Sequence, residues 1–90
     1  MDEIELQPTL EHCIETTARK RYEEIATALL NGRILSAKAV EELELLHTFL
    51  TTADFPALRA ASERELLQGK KVVFRLQLEE ADVKCRMETF

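Results

Sequence analysis

The chain has no tryptophan, and four Phe and one Tyr are its only aromatic residues. Its core must therefore come mainly from aliphatic side chains. Two cysteines are too few for a disulfide scaffold, and 90 residues leave room for one core only. A core of this size supplies little net stability, and pairing with another chain is a common remedy. We therefore expect one domain with reduced thiols that forms a homodimer or binds another protein.

A basic excess and long apolar runs are also missing. The net charge of −5 opposes binding to nucleic acid or to anionic membranes. No apolar run approaches the roughly 20 residues that a membrane span needs. The acidic start, residues 1–5, lacks the positive and apolar regions of a signal peptide. These absences predict a soluble, cytoplasmic protein that does not bind membranes.

No pattern typical of an active site or a metal site is present. Adjacent residues on a helix point about 100° apart, so His12 and Cys13 cannot both face one ion. Ser36 and Ser62 fit a helix cap and a helix face, and no base is placed beside either one. No glycine-rich loop is available to bind phosphate. We predict no enzymatic activity, no catalytic residue, no cofactor and no metal.

The first half of the chain reads as a short lead-in followed by a helix. We expect residues 1–8 to be frayed. Apolar residues then recur at spacings of three and four, which predicts a helix over about 9–30. Thr9 is its expected N-cap, and Gly32 is expected to end it by taking the left-handed conformation.

Two further helices follow. Ser36 is the expected N-cap of a helix that runs to about Thr51. Pro56 fits the first turn of a third helix, which should end at Gly69. The second helix carries apolar residues on more than one side. We expect either that it is central in the fold, or that its second face meets another chain.

Beyond Gly69 the pattern changes to strict alternation. Phe74, Leu76 and Leu78 alternate with polar residues, which predicts a half-buried strand over about 71–78. A turn over 79–82 and a second strand over about 83–87 would complete a hairpin. The competing interpretation is a fourth helix, because apolar residues of this region also fit one helical face.

The fold that these patterns favour is of the α+β class. We predict a three-helix bundle over residues 9–68, closed by a two-stranded antiparallel ribbon over 71–90; the alternative is an all-α four-helix domain. An isolated hairpin is marginal in water, so the ribbon must pack on the helices, pair across a dimer or accept a partner's strand. The residues predicted to form a partner interface are Leu45, Phe49, Phe74, Leu76 and Leu78.

The function class that follows is a non-catalytic interaction, regulatory or accessory protein. The alternative is a DNA-binding transcription regulator, because three helices followed by a hairpin resemble the order of elements in winged-helix domains. The third helix would then read the DNA. Its two arginines, Arg59 and Arg64, are offset by Glu63 and Glu65, which makes nucleic acid the less favoured partner.

Overall fold

A computed structural model describes residues 3–33, 36–80 and 82–90 of the chain. Within these ranges three helices pack on one face of a three-stranded antiparallel sheet with the strand order β1-β2-β3. The predicted α+β class is therefore confirmed. In chain order the elements are β1 (Ile4–Leu6), α1 (Ile14–Leu30), α2 (Ala37–Thr52), α3 (Phe55–Leu67), β2 (Val72–Glu79) and β3 (Asp82–Thr89).

The second helix begins after its predicted N-cap, Ser36, and the third helix has Pro56 in its first turn, as predicted. The Ser36 hydroxyl accepts a hydrogen bond from the Ala39 N–H at 3.2 Å. The Asp54 carboxylate accepts one from the Ala57 N–H at 3.3 Å, and Pro56 lies in the first turn of α3. Each cap satisfies a backbone donor that the helix itself leaves without a partner. The predicted boundaries of α2 and α3 are confirmed to within about two residues.

The predicted start of α1 is wrong. The helix begins at Ile14, after Cys13 at the N-cap position, and not after Thr9. Thr9 instead closes a separate turn: its N–H donates to the His12 carbonyl at 2.8 Å, and its hydroxyl accepts from the His12 N–H at 3.0 Å. The apolar periodicity extended the prediction too far because Leu10 fits the helical spacing but is exposed.

The C-terminal hairpin is confirmed, and the alternative fourth helix is wrong. β2 and β3 pair antiparallel over their full lengths, from Val72 opposite Thr89 to Glu79 opposite Asp82. Glu80 in the turn has a φ of 56°, in the left-handed region that non-glycine residues rarely occupy. Glu79 and Asp82, the first and last residues of the predicted turn, pair at the end of the ladder, so the position of the turn is confirmed.

The sheet has a third strand that the sequence prediction missed. Residues 4–6, expected to be part of a frayed lead-in, form β1 and pair with β2. Ile4 lies opposite Leu76, and Leu6 lies opposite Phe74. The side chains of Ile4 and Leu6 are buried, so this strand completes the core on the far side of β2. The ribbon is therefore a three-stranded sheet and not a two-stranded one.

The core lies between the helices and the inner face of the sheet. α2 is the central helix, because it contacts α1 on one side and both β2 and β3 on another. Its two-sided apolar pattern is thereby explained within the single chain. The largest fully buried side chains are Phe49, Phe74, Ile14, Leu46, Leu76 and Ser62.

Candidate functional site: the free edge of strand β3

Four of the five residues predicted to form a partner interface lie in the core of the chain itself. Each of these four side chains is at most 2% exposed, and the fifth, Leu78, is half-buried. An apolar face needs cover, but its sequence does not tell whether the cover comes from the same chain or another one. These four side chains are therefore not accessible on the surface of the folded chain. The four buried residues are Leu45, Phe49, Phe74 and Leu76.

The direction of the backbone groups of β3 follows from one residue pair at the end of the hairpin. Lys71 and Phe90 exchange both of their backbone hydrogen bonds, at 3.0 and 2.9 Å. Hydrogen-bonded and non-hydrogen-bonded pairs alternate along an antiparallel ladder. Every second residue of β3 therefore directs its N–H and C=O away from β2, toward the edge of the sheet. These outward-directed residues are Val83, Cys85, Met87 and Thr89.

Three of the four outward N–H groups have no acceptor within the described part of the chain. The exception is Val83, whose N–H donates to the Asp82 carboxylate at 2.9 Å. Cys85, Met87 and Thr89 follow along the same edge, with no strand of residues 3–33, 36–80 or 82–90 beside them. A row of unpaired backbone groups on an edge strand is a template for pairing with another chain.

The inner face of β3 is less well covered than that of β2. Phe74 and Leu76 on β2 are completely buried, whereas Met87 and Cys85, which lie opposite them on β3, are only half-buried. A cleft of about 250 Å³ separates the first half of β3 from the corner between α2 and α3. The helix layer thus stops short of the sheet edge and leaves apolar surface accessible there.

The opposite edge of the sheet offers much less backbone. Phe74 and Leu76 direct their N–H and C=O groups toward β1, because the residues between them bond to β3. The pairs Ile4–Leu76 and Leu6–Phe74 are therefore hydrogen-bonded. Glu5 is then the one residue inside β1 whose backbone points outward. The two edges therefore differ in length and in the number of groups that they present.

A charge cluster covers the outer face of the sheet. Arg75 on β2 is hydrogen-bonded to Glu88 on β3 and to Glu5 on β1, and these bonds raise the pKa of Arg75. Arg86 lies 3.6 Å from carboxylate oxygens of both Glu3 and Glu88. The cluster links all three strands, and it pairs the arginines of this face with carboxylates instead of leaving a basic surface.

A second cleft, of about 370 Å³, lies between the start of α1 and α3. The Cys13 sulfur there is 3.3 Å from the Thr16 hydroxyl. This hydrogen bond, the nearby backbone N–H groups and Arg59 lower the pKa of Cys13. A thiol that ionises more easily reacts faster with electrophiles. Nucleophilic catalysis also needs a base in contact with the sulfur, and Thr16 is the one side chain hydrogen-bonded to it among the described residues.

The other cysteine has the opposite character. Both cysteines are free thiols. Burial on the inner face of β3 raises the pKa of Cys85 to about 11. Its thiol is therefore neutral at physiological pH and behaves as an apolar packing group.

Neither a metal-binding cluster nor a membrane-spanning helix is found among the described residues. Residues 3–33, 36–80 and 82–90 contain no group of three or more His, Cys, Asp or Glu side chains that could hold a metal ion. None of the helices in those ranges is both long enough and apolar enough to cross a membrane.

The residues of the β3 edge were not identified from the sequence, although their strand was. Two of the five predicted interface residues lie on α2, and the other three lie on β2, which β1 and β3 flank on both sides. The missing signal lay in Ile4 and Leu6, which alternate with acidic residues as a short strand does. A strand at that position would have placed β2 in the middle of the sheet and β3 at its edge.

Comparison with known proteins gives a family but no activity. A protein-family model matches residues 2–88. An uncharacterized protein of Archaeoglobus fulgidus is 50% identical over 50 residues, which are 53% of this chain and 59% of the relative. The match thus spans less than two thirds of the relative's length. No solved structure gives a significant match.

Proposed function

We propose that this chain, which belongs to the protein family whose model matches residues 2–88, is a non-catalytic interaction domain. Its partner adds a strand to the edge of β3. The observation that carries this proposal is the row of unpaired N–H groups at Cys85, Met87 and Thr89. In strand addition the main-chain hydrogen bonds supply affinity, and pockets for alternate side chains supply specificity.

The surroundings of the edge support this mode of binding. An added strand would extend the inner face of the sheet beyond the half-buried Cys85 and Met87. Its inward side chains could occupy the cleft beside Val83, which Phe49 and Leu58 also line. The added strand would thus bury apolar surface as well as backbone groups. Regulatory and accessory roles both require such a partner, so the proposal covers either one.

The alternative of a DNA-binding regulator has less support. Arg59 on α3 is paired with Glu63 at 3.0 Å, and Lys70 just beyond the helix is paired with Glu65 at 3.1 Å. Phosphate binding would require these cations to exchange their carboxylates for phosphate, in a chain with a net charge of −5. We therefore favour a protein partner over a nucleic acid.

A peptide-display selection with a matched pair of variants tests the proposal. Thr89→Pro removes one outward N–H but no bond to β2, because that N–H points away from the sheet. Thr89→Ala changes the same exposed side chain and keeps the N–H. Peptides selected on the unmodified protein should bind Thr89→Ala and fail to bind Thr89→Pro. Peptides that bind all three proteins equally would contradict strand addition at β3.

A further inference from the structure

We infer that the strand added to β3 is the β3 strand of a second copy, antiparallel to the first, with the two-fold axis at Met87. This inference rests on the proposed function, since it names the occupant of the same edge. It follows from two properties of residues 82–90: the positions of the unpaired N–H groups and the order of the charges.

The backbone groups are self-complementary in this register. With the axis at Met87, the two copies of Met87 face each other, and Cys85 faces Thr89 of the second copy. All of these positions direct their N–H and C=O outward, so each facing pair exchanges two hydrogen bonds. Every unpaired N–H of the edge gains an acceptor. Val83, whose N–H already has the Asp82 carboxylate, needs no acceptor from the second copy.

The charges on the outer face exclude the neighbouring registers. An axis at Lys84, Arg86 or Glu88 would place that residue directly opposite its own copy, and like charges in directly opposite positions destabilise a strand pair. These positions are non-hydrogen-bonded between the copies, where the two chains approach most closely.

An axis at Cys85 fails for the same reason. It would place Lys84 opposite Arg86 of the second copy, and Asp82 opposite Glu88. With the axis at Met87, Arg86 instead faces Glu88 of the second copy, and the symmetry makes this pair twice. Opposite charges in facing positions stabilise a strand pair. Of the axes from Lys84 to Glu88, Met87 alone gives charge complementarity without a like-charge contact.

The same register covers an exposed aromatic residue. Phe90 continues the ladder beyond β3, pairs with Lys71, and is 67% exposed. In the symmetric pair it faces Lys84 of the second copy, whose side chain is exposed in the single chain. An aliphatic stem and an ammonium group can both be accommodated on an aromatic ring.

Such a dimer should be reversible. A single strand pair buries less than the roughly 1,000 Å² expected of a stable interface, so association should depend on concentration in the micromolar range and above. The register can be trapped chemically because facing residues of a non-hydrogen-bonded pair have Cα atoms about 4.5 Å apart and side chains that lie close together. That separation lies within the range of about 4.4–6.8 Å that a disulfide spans.

A cysteine cross-linking experiment tests the register. In a Cys13→Ser, Cys85→Ser background, Lys84→Cys together with Phe90→Cys places two exposed thiols opposite each other in the symmetric pair. Oxidised glutathione should give a dimer on a non-reducing gel, linked between positions 84 and 90 of the two copies. Lys84→Cys alone in the same background is the matched control, since its thiol has no second thiol opposite it. Equal cross-linking of both variants, or no link between positions 84 and 90, would overturn the register.

Sedimentation equilibrium tests the identity of the occupant. The unmodified protein and Thr89→Ala should move from 10.3 kDa toward twice that mass as concentration rises, and Thr89→Pro should stay at 10.3 kDa. An unmodified protein that stays monomeric at every concentration would overturn self-pairing. If peptides still bound in a Thr89→Pro-sensitive way, the proposed function would stand with a different partner; if they did not, both proposals would fall.

Discussion

The two edges of the sheet are built differently, although both belong to antiparallel strands on the same core. β1 is three residues long, its inner side chains are at most 4% exposed, and Glu5 alone turns its backbone outward. β3 is eight residues long, and its inner side chains are only half-covered. A very short edge strand is one way in which proteins avoid unwanted pairing. The difference assigns β1 to the stability of the chain and, under the proposed function, β3 to its association.

The largest expected effect separates the two strands by stability. Leu6→Ala on β1 should lower the free energy of unfolding by about 2–5 kcal/mol, as truncation of a buried leucine does. Met87→Ala on β3 should cost about 1 kcal/mol, because its side chain is already half-exposed. Urea unfolding at a concentration where the chain is monomeric gives both values. Equal losses of unfolding free energy in Leu6→Ala and Met87→Ala would contradict the difference between β1 and β3.

A proline pair tests the direction of the β3 backbone groups. The Glu88 N–H points toward β2, so Glu88→Pro should lose a ladder hydrogen bond and cost about 1–3 kcal/mol. The Thr89 N–H points outward, so Thr89→Pro should change the melting temperature much less. Glu88→Ala and Thr89→Ala are the controls for the side chains, because Glu88→Pro also removes the carboxylate bound to Arg75. The reverse order of effects would show that the inferred alternation is wrong.

The two cysteines should differ in the pH at which they react. The thiolate is the reactive form, and the pKa is lowered for Cys13 and raised to about 11 for Cys85. Iodoacetamide should therefore modify Cys13 first near neutral pH, and Cys85 only as the pH approaches 11. The unfolded chain ionises Cys85 at a lower pH than the folded chain does. The free energy of unfolding should therefore fall as the pH rises from the ordinary thiol pKa toward about 11. Mass spectrometry of the modified peptides tests the order; faster labelling of Cys85 would contradict it.

The smallest expected effect concerns the charge cluster that joins the edges. Glu5→Gln removes one of the carboxylates bound to Arg75, on a surface that water reaches. Exposed ion pairs contribute little, so the free energy of unfolding should fall by less than about 1 kcal/mol, and less still at high salt. A larger, salt-independent loss in urea unfolding would mean that β1 depends on this cluster more than on its buried side chains.

Local chemistry explains which parts of the fold the sequence predicted. Ser36 and Asp54 accept N–H groups three residues ahead, so α2 and α3 begin where cap chemistry places them. The hairpin was predicted because alternation over eight residues is a strong signal. β1 was not, because three residues are too few to establish a period. Thr9 had the right chemistry for a cap but uses it in a turn.

The candidate site could not be predicted to the same extent because it depends on tertiary packing. Leu45 and Phe49 are apolar on a second face of α2, and only the arrangement of helices and sheet shows that this face is buried internally. The unpaired N–H groups of Cys85 and Met87 are properties of the backbone, set by which strand ends the sheet. The side chains of the sequence do not indicate which backbone N–H groups are unpaired.

Residue-resolved amide exchange tests the central claim, that the β3 edge pairs with the β3 edge of a second copy, most directly. Exchange at Cys85, Met87 and Thr89 should be fast in dilute protein and should slow as the concentration rises, because the second copy supplies acceptors for these N–H groups. The outward N–H of Glu5, on the other edge, is the internal control and should not change with concentration. If the three β3 amides exchanged at the same rate at every concentration, or if protection arose at Glu5 instead, the account would be contradicted.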